Sequence, residues 1–185
     1  MVENIHKDIT QRMEKALGVL KNEFSKIRTG RATPAILDSV KVDYYGTLTP
    51  LTQMATINAP EPRMLIVQPW DMSAIGEIEK AIQKSELGLT PQNDGKIIRL
   101  PIPPLTEERR KDLVKVINKF GEECRVNIRN VRRDGMEAVK KAEKDKAISQ
   151  DDSKRAQEKV QAMTDDYIKK VDTLIASKSK ELLEI

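Results

Sequence analysis

Cysteine and histidine each occur once in the 185-residue chain, and aromatic residues are confined to two Phe, three Tyr and one Trp. A lone Cys124 excludes an internal disulfide framework and every multi-cysteine metal site, and its place on an apolar helical seam marks it as a small buried hydrophobe. A lone His6 leaves no partner for a histidine metal site, and no Ser–His–Asp or Cys–His pairing can be assembled from local sequence. His6 itself reads as a surface residue of the first helix.

Other absences narrow the function further. No stretch approaches the ~20 consecutive apolar residues of a membrane span, and the N-terminus lacks the apolar core of a secretory signal, so a cytoplasmic protein is expected. There is no phosphate-cradling Walker loop and no dinucleotide fingerprint. Acidic pairs such as Asp151 with Asp152, or Asp165 with Asp166, sit in charged helical sequence, where a structural role suffices. The expectation is a protein without catalytic residues, resident metal or cofactor, relying on another protein for any nucleotide hydrolysis.

What the chain has in quantity is charge, at 34% of residues, beside 38% hydrophobic residues, enough to pack a core. The net charge of +4 is unevenly spread. Six basic and eight acidic residues between positions 32 and 104 leave 27 basic and 21 acidic residues elsewhere, so that segment carries −2 and the remainder +6.

The positive remainder reads as three amphipathic helices. Ile5, Ile9, Met13, Ala16, Leu20, Phe24 and Ile27 recur at three or four residues, as do Leu113, Ile117, Phe120, Cys124, Ile128, Val131, Gly135, Ala138 and Ala142. Ala156, Val160, Met163, Tyr167, Val171, Leu174 and Leu182 form a third such series. Three helices burying a shared seam make a three-helix bundle. Thr106 before two glutamates, and Ser149 before Asp152, are the expected caps of the second and third helices.

On the second helix Arg125, Arg129, Arg132 and Arg133 fall at offsets that share one stripe. No acidic residue interrupts the run until Asp134, whereas a salt-bridged face would alternate signs at four-residue offsets. Arginine offers phosphate a planar fork, so a stripe of this kind suits structured RNA; a merely solvated face is the competing reading. Phe24, Phe120 and Tyr167 all lie on seams, leaving the bundle no aromatic platform for unstacked bases.

Between the first and second helices the pattern changes. Residues 36–45 alternate in the manner of a strand, and 63–68 and 96–100 are further strands, the last preceded by a turn at Asn93, Asp94 and Gly95. Ser73 is the expected cap of a short helix carrying Ile75, Ile78, Ala81 and Ile82 inward and ending near Gly88. The segment is therefore a small inserted α+β domain. Gly30 beside Arg31 in the outgoing connection, and Pro101, Pro103 and Pro104 in the returning one, predict a two-strand hinge of restricted swivel.

KIRTGRATP at 26–34, YYG at 44–46, LGL at 87–89, PPLTEERRK at 103–111 and VNIRNVRRD at 126–134 together resemble the bacterial ribosome recycling factor family, in order and over essentially the whole chain. The resemblance implies an L-shaped α+β molecule. Residues 1–30 and 105–185 would form the RNA-binding three-helix bundle and 31–104 a β/α/β insert, hinged at 29–31 and 101–105. It implies a translation factor that binds the large ribosomal subunit after termination and, with elongation factor G and that factor's GTP hydrolysis, splits the ribosome for reuse. Arg110, Arg129 and Arg132 match the family's RNA-binding arginines; Arg28, Arg31, Arg109, Arg125 and Arg133 are further candidates. Partners would be ribosomal RNA of the large subunit and elongation factor G; the seam residues suffice to satisfy one another within one chain, so a monomer is expected. Gly135, in mid-helix, departs from the family pattern and either softens the helix or admits a close neighbour. The rival from another class is a helical adaptor docking a protein partner on an exposed bundle face.

Overall fold

In the computed structural model, which describes residues 1–184, the elements run α1 (Val2–Lys26), β1 (Lys41–Tyr44), β2 (Thr47–Pro50), β3 (Ala55–Glu61), β4 (Met64–Pro69), α2 (Ile75–Lys84), β5 (Gln92–Asn93), β6 (Ile98–Pro101), α3 (Glu107–Lys144) and α4 (Gln150–Leu183). They fall into two units: Met1–Arg28 with Glu107–Glu184, and Thr29–Thr106. The α+β class read from the sequence is the class observed. Among the described residues no helix is long and apolar enough to cross a membrane.

The first unit is the three-helix bundle of α1, α3 and α4. Its core is a continuous seam through Ile9, Met13, Leu17, Leu20, Ile117, Ile128, Val139, Val160, Val171 and Leu182, each no more than 3% exposed. Such side chains each contribute roughly 1.5–3 kcal/mol on burial. The observed seam departs from the periodic reading at a few positions. Gly121 and Val139 are buried where Phe120 and Ala138 were expected, both of which are only half-buried. In α4 Thr164 is buried in place of Met163, which its chemistry allows because its hydroxyl donates to Val160 O at 2.8 Å within the same helix.

His6 is not a surface residue: it is buried, and its Nε2 lies 3.3 Å from the carbonyl of Ala156. Gly135 resolves toward close approach. A Cβ there would stand 2.4 Å from Ile9 Cδ1 and 3.6 Å from Val160 Cγ1, so both other helices crowd this point of α3. Cys124 is buried as expected, and burial pushes its thiol above the ordinary range.

The helix ends follow the expected chemistry in part. Ser149 Oγ accepts from the amide of Asp152 at 3.1 Å and donates to its carboxylate at 2.7 Å, a reciprocal cap opening α4. Beyond α3 the chain turns through Lys146 at φ 57°, where the amide of Ala147 bonds back to Ala142 O at 2.9 Å.

In the second unit β1 and β2 form a hairpin, turned by Tyr45 (φ 49°) and Gly46 (φ 81°), and a four-stranded antiparallel sheet has the order β3-β4-β6-β5. Leu37, Val42, Leu51, Leu65, Ile78, Ile82, Ile98 and Leu100, all 0% exposed, form one core beneath α2 and the sheet. The strand expected over 36–45 is shorter, because Pro34–Leu37 coils into a 3₁₀ turn. The helix start also differs: Asp71 accepts from the Ser73 amide at 2.9 Å and so caps a short 3₁₀ turn, Met72–Ala74, while α2 follows from Ala74 without a side-chain cap and stops at Lys84 rather than near Gly88. Asp71 additionally accepts from Tyr44 Oη at 2.8 Å, tying the hairpin to the helix start.

Candidate nucleic-acid interface

The bundle seam decides which way the arginines point. With Cys124, Ile128, Val131 and Gly135 turned inward, Arg125, Arg129, Arg132 and Arg133 occupy the remaining arc of α3. Arg129 and Arg133 are exposed, while Arg125 and Arg132 are half-buried.

The row is not a bare cationic edge, contrary to its acid-free sequence. Glu122, one turn upstream, receives Arg129 Nη2 on Oε1 at 2.5 Å and Arg125 Nη1 on Oε2 at 3.1 Å. Arg125 also reaches across to α4, donating from Nε at 3.1 Å and Nη2 at 2.5 Å to Asp172 Oδ1. Arg132 Nε donates to Gln161 Oε1 at 2.6 Å, and Gln161 passes its own amide to Asp165 at 2.9 Å. Asp134, which ends the run, is taken by Arg12 of α1 at 2.6 Å. The run itself shows none of these partners, because Asp172 and Gln161 belong to α4, Arg12 belongs to α1 and Glu122 lies upstream of it.

The electrostatics follow from this geometry. Arg129 first, then Arg125, holds the Glu122 carboxyl below the usual carboxylate range. Asp172 and Glu122 in turn hold the Arg125 guanidinium above its own. The stripe is a set of arginines held in place by carboxylates and amides at the surface, where such pairs are weak and exchangeable.

The other candidates are spread more widely. Arg109 is exposed and Arg110 half-buried, both in the first turn of α3. Arg28 is exposed just beyond α1, and Arg31 is exposed in the second unit, so it is no member of the bundle stripe. Gly30 has φ 79°, and a Cβ there would stand 3.2 Å from Leu105 Cγ, so the outgoing and returning segments touch at a residue that only glycine fits easily. Pro101 ends β6, while Pro103 and Pro104 are exposed. Among the described residues no group of three or more His, Cys, Asp or Glu side chains is placed to hold a metal ion.

A family model for the ribosome recycling factor matches residues 20–183. The chain belongs to the ribosome recycling factor family. It is 57% identical to the ribosome-recycling factor of Carboxydothermus hydrogenoformans and 56% identical to that of Symbiobacterium thermophilum, with all of each chain covered. Among solved structures it is similar to a ribosome recycling factor studied in solution, with a TM-score of 0.74 and 43% identity over 100% of this chain and 98% of that one. It is also similar, at a TM-score of 0.64 and 46% identity over 99% of both chains, to a chain from models for the T. thermophilus ribosome recycling factor and the E. coli elongation factor G bound to the E. coli post-termination complex.

Sequence reasoning also passed over a second exposed feature. Tyr45, Leu48, Trp70 and Met72 of the inserted unit are 83%, 69%, 67% and 45% exposed. Trp70 is held by its indole N–H on Thr56 Oγ1 at 2.9 Å. The YYG motif was visible, but only the hairpin shows that its second tyrosine faces outward.

Proposed function

We propose that this protein recycles ribosomes: it docks on RNA of the large subunit after termination and, with elongation factor G hydrolysing GTP, splits the subunits for reuse. The observation that carries this reading is the full-length match to ribosome recycling factors at 57% identity. The charge distribution supports it, with +6 outside residues 32–104. In this reading the protein is a translation factor without chemistry of its own.

Docking runs through the arginines of α3. Arg132 is central, because its only described partner is a neutral amide on Nε, leaving both Nη groups for a phosphate oxygen. Arg129 and Arg133 flank it, and Arg110 extends the contact toward the start of the helix. Binding through phosphates reads backbone shape and weakens steeply as salt displaces the advantage of counterion release.

The hinge belongs to the same proposal. Ala32 N donates to Pro62 O at 2.7 Å and Ile102 N to Arg63 O at 2.8 Å, so both connections are pinned to the β3–β4 turn. Rotation is thereby confined to the few bonds between these anchors and the helix ends, including Gly30, Arg31, Pro103 and Pro104. A short pivot lets a push by elongation factor G on one unit act as torque on the other.

The test is light scattering of post-termination ribosomes with elongation factor G and GTP. Wild type should give the drop in scattering that accompanies splitting. Arg132→Ala should bind large subunits roughly ten-fold more weakly, the order expected for losing a charge-assisted contact, with unchanged helicity by circular dichroism. No scattering drop from folded wild type would overturn the recycling reading. Association with a partner that survives nuclease treatment would favour the adaptor.

A further inference from the structure

Glu122 offers its two carboxylate oxygens to two guanidinium groups, one to Arg129 and one to Arg125. A phosphodiester presents two unbridged oxygens in much the same way, so the same two forks suit a backbone phosphate. Asp172 holds the remaining edge of Arg125 from α4. The Glu122 and Arg129 side chains are 54% and 51% exposed, so a phosphate can reach the pair from solvent. The Arg125 side chain, 29% exposed, is the more enclosed partner.

We propose that Glu122 and Asp172 are internal competitors for the RNA backbone, occupying the Arg125 and Arg129 forks in the free protein and yielding them to phosphates on the large subunit. This rests on the reading that the α3 stripe docks on RNA. Exposed pairs of this kind are worth little, so the carboxylates orient the forks without locking them. Their cost is levied on binding, since a phosphate taking the Arg125 or Arg129 fork must first displace a carboxylate. The affinity is thereby held below what the arginines alone would give, which suits a factor that must leave the subunit after every round. Ionised Glu122 is favoured by its arginines, so the competition operates throughout the neutral range.

The experiment is direct binding of the full-length protein to isolated large subunits, with equilibrium affinity and dissociation rate measured at low and moderate salt. The variants are Glu122→Gln, Asp172→Asn and, as a control for bulk charge, Glu86→Gln in the inserted unit. Glu122→Gln should tighten binding about two- to five-fold beyond the control, mostly through slower dissociation. The gain should shrink as salt rises. Arg129→Ala should then cost more in the Glu122→Gln background than in wild type, because an unoccupied fork has more to contribute. Glu122→Gln equal to the control, or weaker than wild type, would overturn the competition while leaving RNA docking intact. Failure of wild type itself to bind large subunits would remove the docking reading and this proposal together.

Discussion

Along the 38-residue α3 a buried residue recurs every three or four positions from Leu113 to Ala142, whereas no strand of the inserted unit exceeds seven residues. The bundle gains its order from repetition, because each turn adds one more contact to a seam shared by helices far apart in sequence. The inserted unit gains its order from punctuation: a positive-φ turn at Tyr45 and Gly46, the Asp71 bridge to Tyr44 and Ser73, and the Asp94 carboxylate accepting the amides of Lys96 and Ile97. Those bonds hold both carboxyls low: Ser73 and then Tyr44 act on Asp71, the Ile97 and Lys96 amides on Asp94. Long helices thus offer an extended outer face for charge, and short strands offer fixed tips for exposed residues such as Tyr45.

The largest test of that contrast is deletion of core volume on both sides. Ile128 and Leu65 are each 0% exposed, and Ile128→Ala or Leu65→Ala should lose about 2–5 kcal/mol in chemical denaturation, since cavity cost follows burial rather than element type. A loss confined to Ile128→Ala would mean that the inserted unit is held chiefly by its polar bridges.

A smaller effect separates close packing from helix propensity. At Gly135 an added methyl meets Ile9, itself 1% exposed, so the overpacking cost of about 1–3 kcal/mol should outweigh the roughly 1 kcal/mol gained from replacing a helical glycine. Gly18 in α1 has nothing within 4 Å of that position, and Gly18→Ala should raise stability by up to about 1 kcal/mol. Equal gains at both glycines would show that the helices are not in tight contact at Gly135.

The smallest effect is a pH dependence in the bundle. Burial, and then donation to Glu14 Oε1 at 2.7 Å, pushes the Tyr167 phenol up to about 12. An unfolded phenol ionises near ~10, so the folded state favours the protonated form. That stabilisation is complete below about pH 10 and is lost as the pH rises toward 12. Tyr167→Phe should remove this part of the alkaline decline, read from melting temperatures across that interval. An unchanged alkaline decline would place its cause outside the bundle seam.

Much of the bundle was legible because a helix repeats every 3.6 residues, so apolar spacing alone nominates Ile9, Ile128 and Val171 as core. Spacing fails where the buried residue lacks an apolar signature. Gly121 contributes no side chain, and Ile175 of α4 packs over it; Thr164 hides its hydroxyl in its own helix; His6 satisfies a ring nitrogen on another helix. The inserted strands were harder to see. β3 is mostly exposed and β5 has two residues, so neither leaves an alternating pattern. The arginine stripe was readable as a row of cations, but its occupation by Glu122, Asp172 and Gln161 was not.

The division follows from the range of the forces. Helical period, caps such as Ser149 and the turn at Asn93, Asp94 and Gly95 depend on neighbours a few residues away, and the sequence alone determined them. It also carried the family, through motifs spread along the whole chain. Which carboxylate meets which arginine depends on how α3 and α4 pack, since Arg125 and Asp172 are 47 residues apart and come together only across the bundle. Tertiary structure alone decided that pairing, because a side-chain contact of 3 Å requires two backbones to be placed first.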